Sequence, residues 1–437
     1  MKKEVIIFSL ITVCVTTQAQ ESWTLRQCID YAIEHNINVL QTANAADQSA
    51  VDVNSAKWAR LPNLNGSAGQ AWSWGRSPSP VDNTYSDINS GSTQFGLNSN
   101  IPIFTGLELP NQYALSKLNF KAAIEDLNKA KEDVAINVTS AFLQVLFNME
   151  LSKVAASQVQ LSKEQSSRIT RLAEVGKAAA AEVAEAQARV AQDEMNLVQA
   201  NNNYKLALLD LSQLLELPTP EGFSLVEPDT LTAFIPLTPP DEIYTEALVN
   251  KPGIRAAQFR LEGSQKSIRI AQSDYYPQLS FGAGLGTNYY TINGASNDGF
   301  GRQLKNNFNK NVSFNLNIPL FNRFSTRNRV RKAKLQQTNL ALQLDNTKKT
   351  LYKEIQQAWY NAVAAESKFN SSTAAVTANN ESFRLINEKF DNGKATFIEY
   401  NEAKQNLMKA QSDKIQAKYD YIFRTKILDF YRGKMIE

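Results

Sequence analysis

The chain has 437 residues with 46 basic and 43 acidic side chains, a formal charge of +3, and so even a balance excludes the electrostatic footprint of a nucleic-acid binder. Its single histidine, His35, excludes the imidazole clusters of most zinc centres and of Ser-His-Asp catalysis. With no nucleophile-base-orienter set readable, no enzyme activity, metal site or cofactor is expected.

Lys2 and Lys3, the apolar run from Val5 to Val15 and the small-residue stretch Thr17-Gln18-Ala19 are the three parts of a signal peptide over 1–19. The mature chain is expected to begin at Gln20 with a charge of +2, after loss of Lys2, Lys3 and Glu4. Cys14 could serve as a lipid-attachment cysteine, but Val13 before it is not small. Once the signal is removed, Cys28 is the only cysteine, so no intrachain disulfide can form. No later stretch approaches the roughly 20 apolar residues of a transmembrane helix, and His35 is expected on a helix surface.

The chain repeats itself. Residues 32–69 align without a gap on 247–284, placing Ala32 on Ala247, Ser49 on Ser264, Pro62 on Pro277 and Gly69 on Gly284. Further on, NIPIF at 100–104 matches NIPLF at 317–321, and Gly176-Lys177 matches Gly393-Lys394. Self-similarity over such a length reads as a tandem duplication of a unit of about 210 residues. The first repeat is 20–217 and the second is 241–437; the stretch 218–240, with six of the fourteen prolines, is the linker.

Each repeat opens with a helix and then alternates at period two. Phe95, Leu97, Ile101 and Ile103 oppose Gln94, Gly96, Asn98 and Asn100; Val312, Phe314, Leu316, Ile318 and Leu320 oppose Ser313, Asn315 and Asn317. Such alternation predicts strands with one apolar face, over about 94–104 and 311–321, with partners over about 62–74 and 277–290. Their length suits membrane strands, and Trp72, Trp74, Tyr289 and Tyr290 near the ends suit an interfacial girdle. The polar stretches 75–92 and 291–307 read as exposed loops. GAGLG at 282–286 is not a dinucleotide fingerprint, because no helix follows it; its glycines alternate with Phe281, Ala283 and Leu285 as one strand face.

Lipid tolerates no open sheet edge, so four strands must be completed by other chains. Two chains give eight strands and a filled interior; three give twelve and a lumen. Pro102 and Pro319 are expected where a strand leaves the barrel and becomes a helix, a place where a missing N–H removes no ladder bond that matters.

The remaining runs hold no proline, and their only glycines are Gly176 in 111–217 and Gly393 and Gly433 in 320–437. Rich in Ala, Leu, Gln, Glu and Lys, they are helical by propensity, and Leu127, Val134 and Ala141 with Val138 and Val145 repeat as a coiled-coil seam. Two helical hairpins follow, 110–217 and 325–432, turning at Gly176 and Gly393, with descending arms of roughly 95 Å at 1.5 Å per residue. Arg323, Arg327, Arg329, Arg331, Lys332 and Lys334 crowd the start of the second hairpin, where the helix dipole disfavours cations. They read either as a solvated face or as a contact with phospholipid phosphates.

Helix, two strands and a long helical hairpin written twice behind a signal peptide, with NIPIF and NIPLF exits and a glycine at each turn, resemble the TolC-type outer-membrane efflux proteins. The resemblance spans the mature chain. It implies an α+β membrane protein: a homotrimer with a twelve-stranded β-barrel in the outer membrane of a Gram-negative bacterium, continued by an α-helical barrel into the periplasm. It implies a passive exit duct, docked by a periplasmic adaptor (membrane fusion protein) and fed by an inner-membrane transporter of RND or ABC type.

In that family the two turns receive the adaptor, and Leu172, Val175, Gly176, Phe390, Gly393 and Thr396 match the pattern. Family channels also carry two acids, six and nine positions after the second turn glycine, here Glu399 and Glu402; Glu182 keeps the acidic position of the first copy. In a trimer, rings of these carboxylates would favour cations and raise some of their pKa values. The family's gate-locking tyrosine and arginine are Phe390 and Ala395 here, so a leakier resting state is expected. The competing class is a structural or adhesive protein, with coiled coils as spacers and the strands as anchors.

Overall fold

A computed structural model describes residues 22–78, 84–220, 223–226 and 237–434. The expected signal peptide, Cys14, Gln20 and much of the linker lie outside them. The elements run β1 (Ser22–Trp23), α1 (Leu25–His35), α2 (Ile37–Trp58), β2 (Asn65–Ser73), β3 (Arg76–Pro78), β4 (Tyr85–Asp87), β5 (Ser90–Thr105), α3 (Glu108–Glu174) and α4 (Ala180–Leu214). They continue with β6 (Ser224–Leu225), α5 (Pro240–Asn250), α6 (Pro252–Ser273), β7 (Gln278–Ile292), α7 (Phe300–Asn306), β8 (Asn309–Asn317), α8 (Ser325–Asp391) and α9 (Phe397–Tyr431).

The compact units are not the two sequence halves. One gathers 1–41, 128–251 and 349–437, the other 42–127 and 252–348, so each draws on both halves. The reason is pairing across the halves: β5 of the first half pairs β7 of the second, and Arg168 of α3 pairs with Asp391 of α8.

The second of these units holds an antiparallel sheet in the order β2-β5-β7-β8. Its register sets Leu97 opposite Leu285, Phe281 between Ile101 and Phe314, and Leu279 opposite Leu316. Phe281 and Phe314 touch, with ring centroids 5.0 Å apart. This apolar face is open: Val312, Phe314 and Leu316 are 74%, 70% and 57% exposed. The opposite face carries a row Asn98–Gly284–Asn311. A Cβ on Gly284 would lie 2.4 Å from Asn311 Oδ1 and 2.8 Å from Asn98 Oδ1, so the GAGLG glycines make room for polar side chains on the neighbouring strands. An ion pair from Arg255 to Glu125 at 2.7 Å ties α6 to the first part of α3.

The expectation for Pro102 is corrected. β5 continues three residues past Pro102, which sits at a register irregularity opposite β7. β2 pairs only as far as Asn98, and Asn100 makes the last bonds on that side, its N–H donating to Asn63 Oδ1 at 2.7 Å. A proline beyond that point forfeits no bond toward β2. Pro319 lies after β8, which ends at Asn317. The joints themselves are pairs of left-handed residues 217 positions apart: Gly106 and Leu107 (φ 63° and 69°) before α3, Arg323 and Phe324 (54° and 61°) before α8.

The stretch 75–92 holds the β3–β4 hairpin and the start of β5. The stretch 291–307 holds α7, which docks on β7 through Phe300 against Tyr289 (5.0 Å) and Gln303 Nε2 donating to Tyr290 O at 2.9 Å.

In the other unit, Thr24 and Gln27 form a capping box that starts α1. The expected linker is more than a spacer, because Ser224–Leu225 pairs in parallel with Ser22–Trp23. The lower arms of the hairpins are antiparallel: Lys163 reaches Glu194 at 2.7 Å across α3 and α4, and Phe369 stacks on Tyr421 across α8 and α9. Val134, Val138 and Val145 of the expected seam are buried, as are Phe142 and Leu146. This packing explains a further correction: an 18-residue window of α3 is long and apolar enough to cross a membrane by composition, yet its apolar residues include these buried ones.

Candidate functional site

The two helical turns end α3 and α8 in the same way. Lys177 N–H donates to Leu172 O at 2.7 Å and Gly176 N–H to Ala173 O at 2.9 Å; Lys394 N–H donates to Lys389 O at 2.8 Å and Gly393 N–H to Phe390 O at 3.0 Å. These are Schellman caps, which need a left-handed residue, and Gly176 and Gly393 supply it at φ 73° and 67°.

Beneath the turns, Ile169, Ala186, Phe397 and Tyr400 are buried together, with Phe383 and Phe390 packed against them. Phe390 lies 5.1 Å from Tyr400 and 6.1 Å from Phe397, centroid to centroid. An ion pair between Arg168 and Asp391 joins the ends of α3 and α8. The core therefore links the turns of both hairpins. Of the residues matched to the family's docking pattern, Leu172 and Phe390 are half-buried, whereas Val175, Gly176, Gly393 and Thr396 are exposed, as is Ile398.

The three acids behave differently from one another. Glu399 is the partner of a capping box: Thr396 N–H donates to Glu399 Oε2 at 2.7 Å, and Glu399 N–H donates to Thr396 Oγ1 at 3.2 Å. Thr396's backbone N–H, then its hydroxyl, hold this carboxyl below its ordinary pKa. That is opposite in sign to the rise expected for a crowded ring, because within one chain a donor faces the carboxylate and no second acid does. The spacing Thr396-x-x-Glu399 is a capping-box signature legible in the sequence. Glu402 and Glu182 are both exposed, Glu182 in the first turn of α4; neither is brought to Glu399 by a contact among the described residues.

One turn further along α9 is a group that the sequence reading missed. Lys404 and Asp193 have side chains 3% and 1% exposed, with Nζ 3.1 Å from Oδ2. Lys404 Nζ also donates to Ser162 Oγ at 2.7 Å, and Arg189 Nη2 lies 3.4 Å from Asp193 Oδ1. Burial pulls the Lys404 pKa down, and Asp193 opposes that pull. The group ties α9 to α3 and α4. Lys404 is one of five lysines in α9 and looks like a solvated one, so nothing local marks it.

Paired helical hairpins ending in Schellman turns, with a sheet whose exposed face is apolar, define a class in which a membrane-type sheet is joined to long coiled helices. The chain belongs to the outer membrane efflux protein family, whose sequence profile matches residues 28–216 and 243–429. It is 22% identical over 437 residues to the outer membrane protein TolC of Escherichia coli (strain K12), covering 97% of this chain and 84% of that one. It is 20% identical over 422 residues to the outer membrane efflux protein BepC of Brucella suis biovar 1 (strain 1330), covering 96% and 88%. The CmeC outer membrane channel of Campylobacter jejuni shares its fold, with a TM-score of 0.81 at 21% identity over 94% of this chain and 85% of that one. The protein is thus an outer-membrane efflux protein.

Proposed function

We propose that three copies of the chain form a passive duct through the outer membrane. The observation that carries this reading is the sheet: β2 and β8 each offer an edge with no strand partner among the described residues, next to the exposed apolar row of Val312, Phe314 and Leu316. In lipid such edges must be paired. Joining β8 of one copy to β2 of the next closes twelve strands around a polar interior, and the long helices extend that interior into the periplasm. The two sequence repeats, 20–217 and 241–437, each give one strand pair and one hairpin to the wall. The turns around Gly176 and Gly393 are the docking tips for a periplasmic adaptor, which couples the duct to an inner-membrane transporter of RND or ABC type. Energy comes from those partners, and the duct itself carries out no chemistry.

At the tips, Glu399, Glu402 and Glu182 lie near the constriction and bias it toward cations. Native mass and electron microscopy of the detergent-extracted particle test the assembly. Three chains in a hollow tube are expected; a monomer or a filled rod would favour the spacer reading. In a planar bilayer, Glu399→Gln with Glu402→Gln is expected to lower cation selectivity, and unchanged selectivity would remove the ring.

A further inference from the structure

The start of α8 carries a charge pattern that the duct does not require. Between Asp298 and Asp345 the sequence has no acidic residue. Within that stretch Arg323, Arg327, Arg331, Lys332 and Lys334 are all exposed, and among the described residues none of them has a carboxylate in ion-pair range. Their neighbour Arg329 is paired with Asp274. Arg327, Arg331 and Lys334 follow at spacings of four and three, one face of the helix. The fold does not impose this pattern, because α3 leaves the sheet through an equivalent joint, opens with Glu108 and holds no Lys or Arg before Lys117.

The patch adjoins the apolar face of the sheet. Past Leu316, the exposed apolar residues continue with Ile318, Leu320 (92% exposed), Phe321 and Phe324. Phe321 and Phe324 meet edge to face, and the Arg327 guanidinium sits 5.8 Å over Phe324. A row of apolar side chains, then aromatics, then cations is the order in which a bilayer passes from hydrocarbon to headgroup.

We propose that this patch seats the phosphate of an anionic glycerophospholipid, held by Arg323, Arg327 and Arg331. Cations at a helix N-terminus conflict with its dipole, but an anion among them is attracted by both the guanidinium groups and the positive end of that dipole. Arginine suits this role because its planar fork presents paired donors to phosphate oxygens. The phospholipid assignment rests on the duct reading, in which the helices lie on the periplasmic side.

The test uses the full chain in mixed micelles, with native mass spectrometry counting retained phosphatidylglycerol against phosphatidylcholine. The triple variant Arg323→Gln, Arg327→Gln, Arg331→Gln is compared with Arg302→Gln, Lys305→Gln, Lys310→Gln, which removes the same charge elsewhere in the acid-free stretch. The parent and the second triple are expected to retain phosphatidylglycerol preferentially. The first triple should lose at least tenfold in that preference, since each basic residue near an anionic surface contributes about fivefold, and high salt should mimic the loss. Equal retention by the first triple, equal loss in both triples, or no preference in the parent would overturn the proposal. So would loss of lipopolysaccharide binding with phosphatidylglycerol retention intact. Chain number is read in the same spectra, so failure of the duct reading shows separately as a count other than three.

Discussion

Replacing Lys404 with Met should loosen the joint between α9, α3 and α4 more than any surface change nearby. The substitution leaves the Asp193 carboxylate, 1% exposed, with Arg189 at 3.4 Å as its remaining cation. Removing one partner of a buried pair costs roughly 3–5 kcal/mol, and the remaining arginine places the expected loss at the low end, about 3 kcal/mol. Amide hydrogen exchange in α4 around Asp193 and in α9 around Lys404 reads this as a fall in protection of about two powers of ten, at about 1.4 kcal/mol for each. Lys404→Met with Asp193→Leu should fall by less than the single variant, because removing both charges also removes the cost of burying them, and Ser162 Oγ keeps its bond to Gln158 O at 2.8 Å. Unchanged protection in Lys404→Met, or a greater loss in the double variant than in either single one, would refute the reasoning.

Glu399 has its folded pKa depressed by Thr396, so the stability it contributes is complete above its unfolded pKa and is lost as pH falls through the lower folded value. Exchange at the first amides of α9 should speed up only in that acid range, and Glu399→Ala should abolish the pH step. Cys28 is fully buried, and burial pushes its thiol up to about 12; a maleimide should label it only after denaturation, and rapid labelling of the folded protein would contradict the packing. Gly106→Ala should cost about 2–4 kcal/mol, about 1 from the left-handed backbone and the rest from overpacking, because its Cβ would lie 2.5 Å from Ser273 O. Gly176→Ala, with nothing within 4 Å of the added carbon, should cost only the backbone part, about 1 kcal/mol; equal losses in thermal unfolding would count against the crowding at Gly106.

The sequence by itself determined what depends on neighbouring residues. Period-two alternation around Phe95 and Phe314, breaker-free runs and lone glycines at 176 and 393 set strands, helices and turns, because periodicity and backbone preference act within a few residues. Even the Glu399 cap was written locally, in Thr396-x-x-Glu399. Tertiary structure alone decided how those pieces meet. The joint after β5 fell on 106–107 rather than on Pro102, since β7 pairs β5 past that proline. Lys404 found Asp193 across 211 positions of chain. Which side chain lies opposite another at such a separation is fixed by helix packing and strand register, and neither is encoded in any short stretch of sequence.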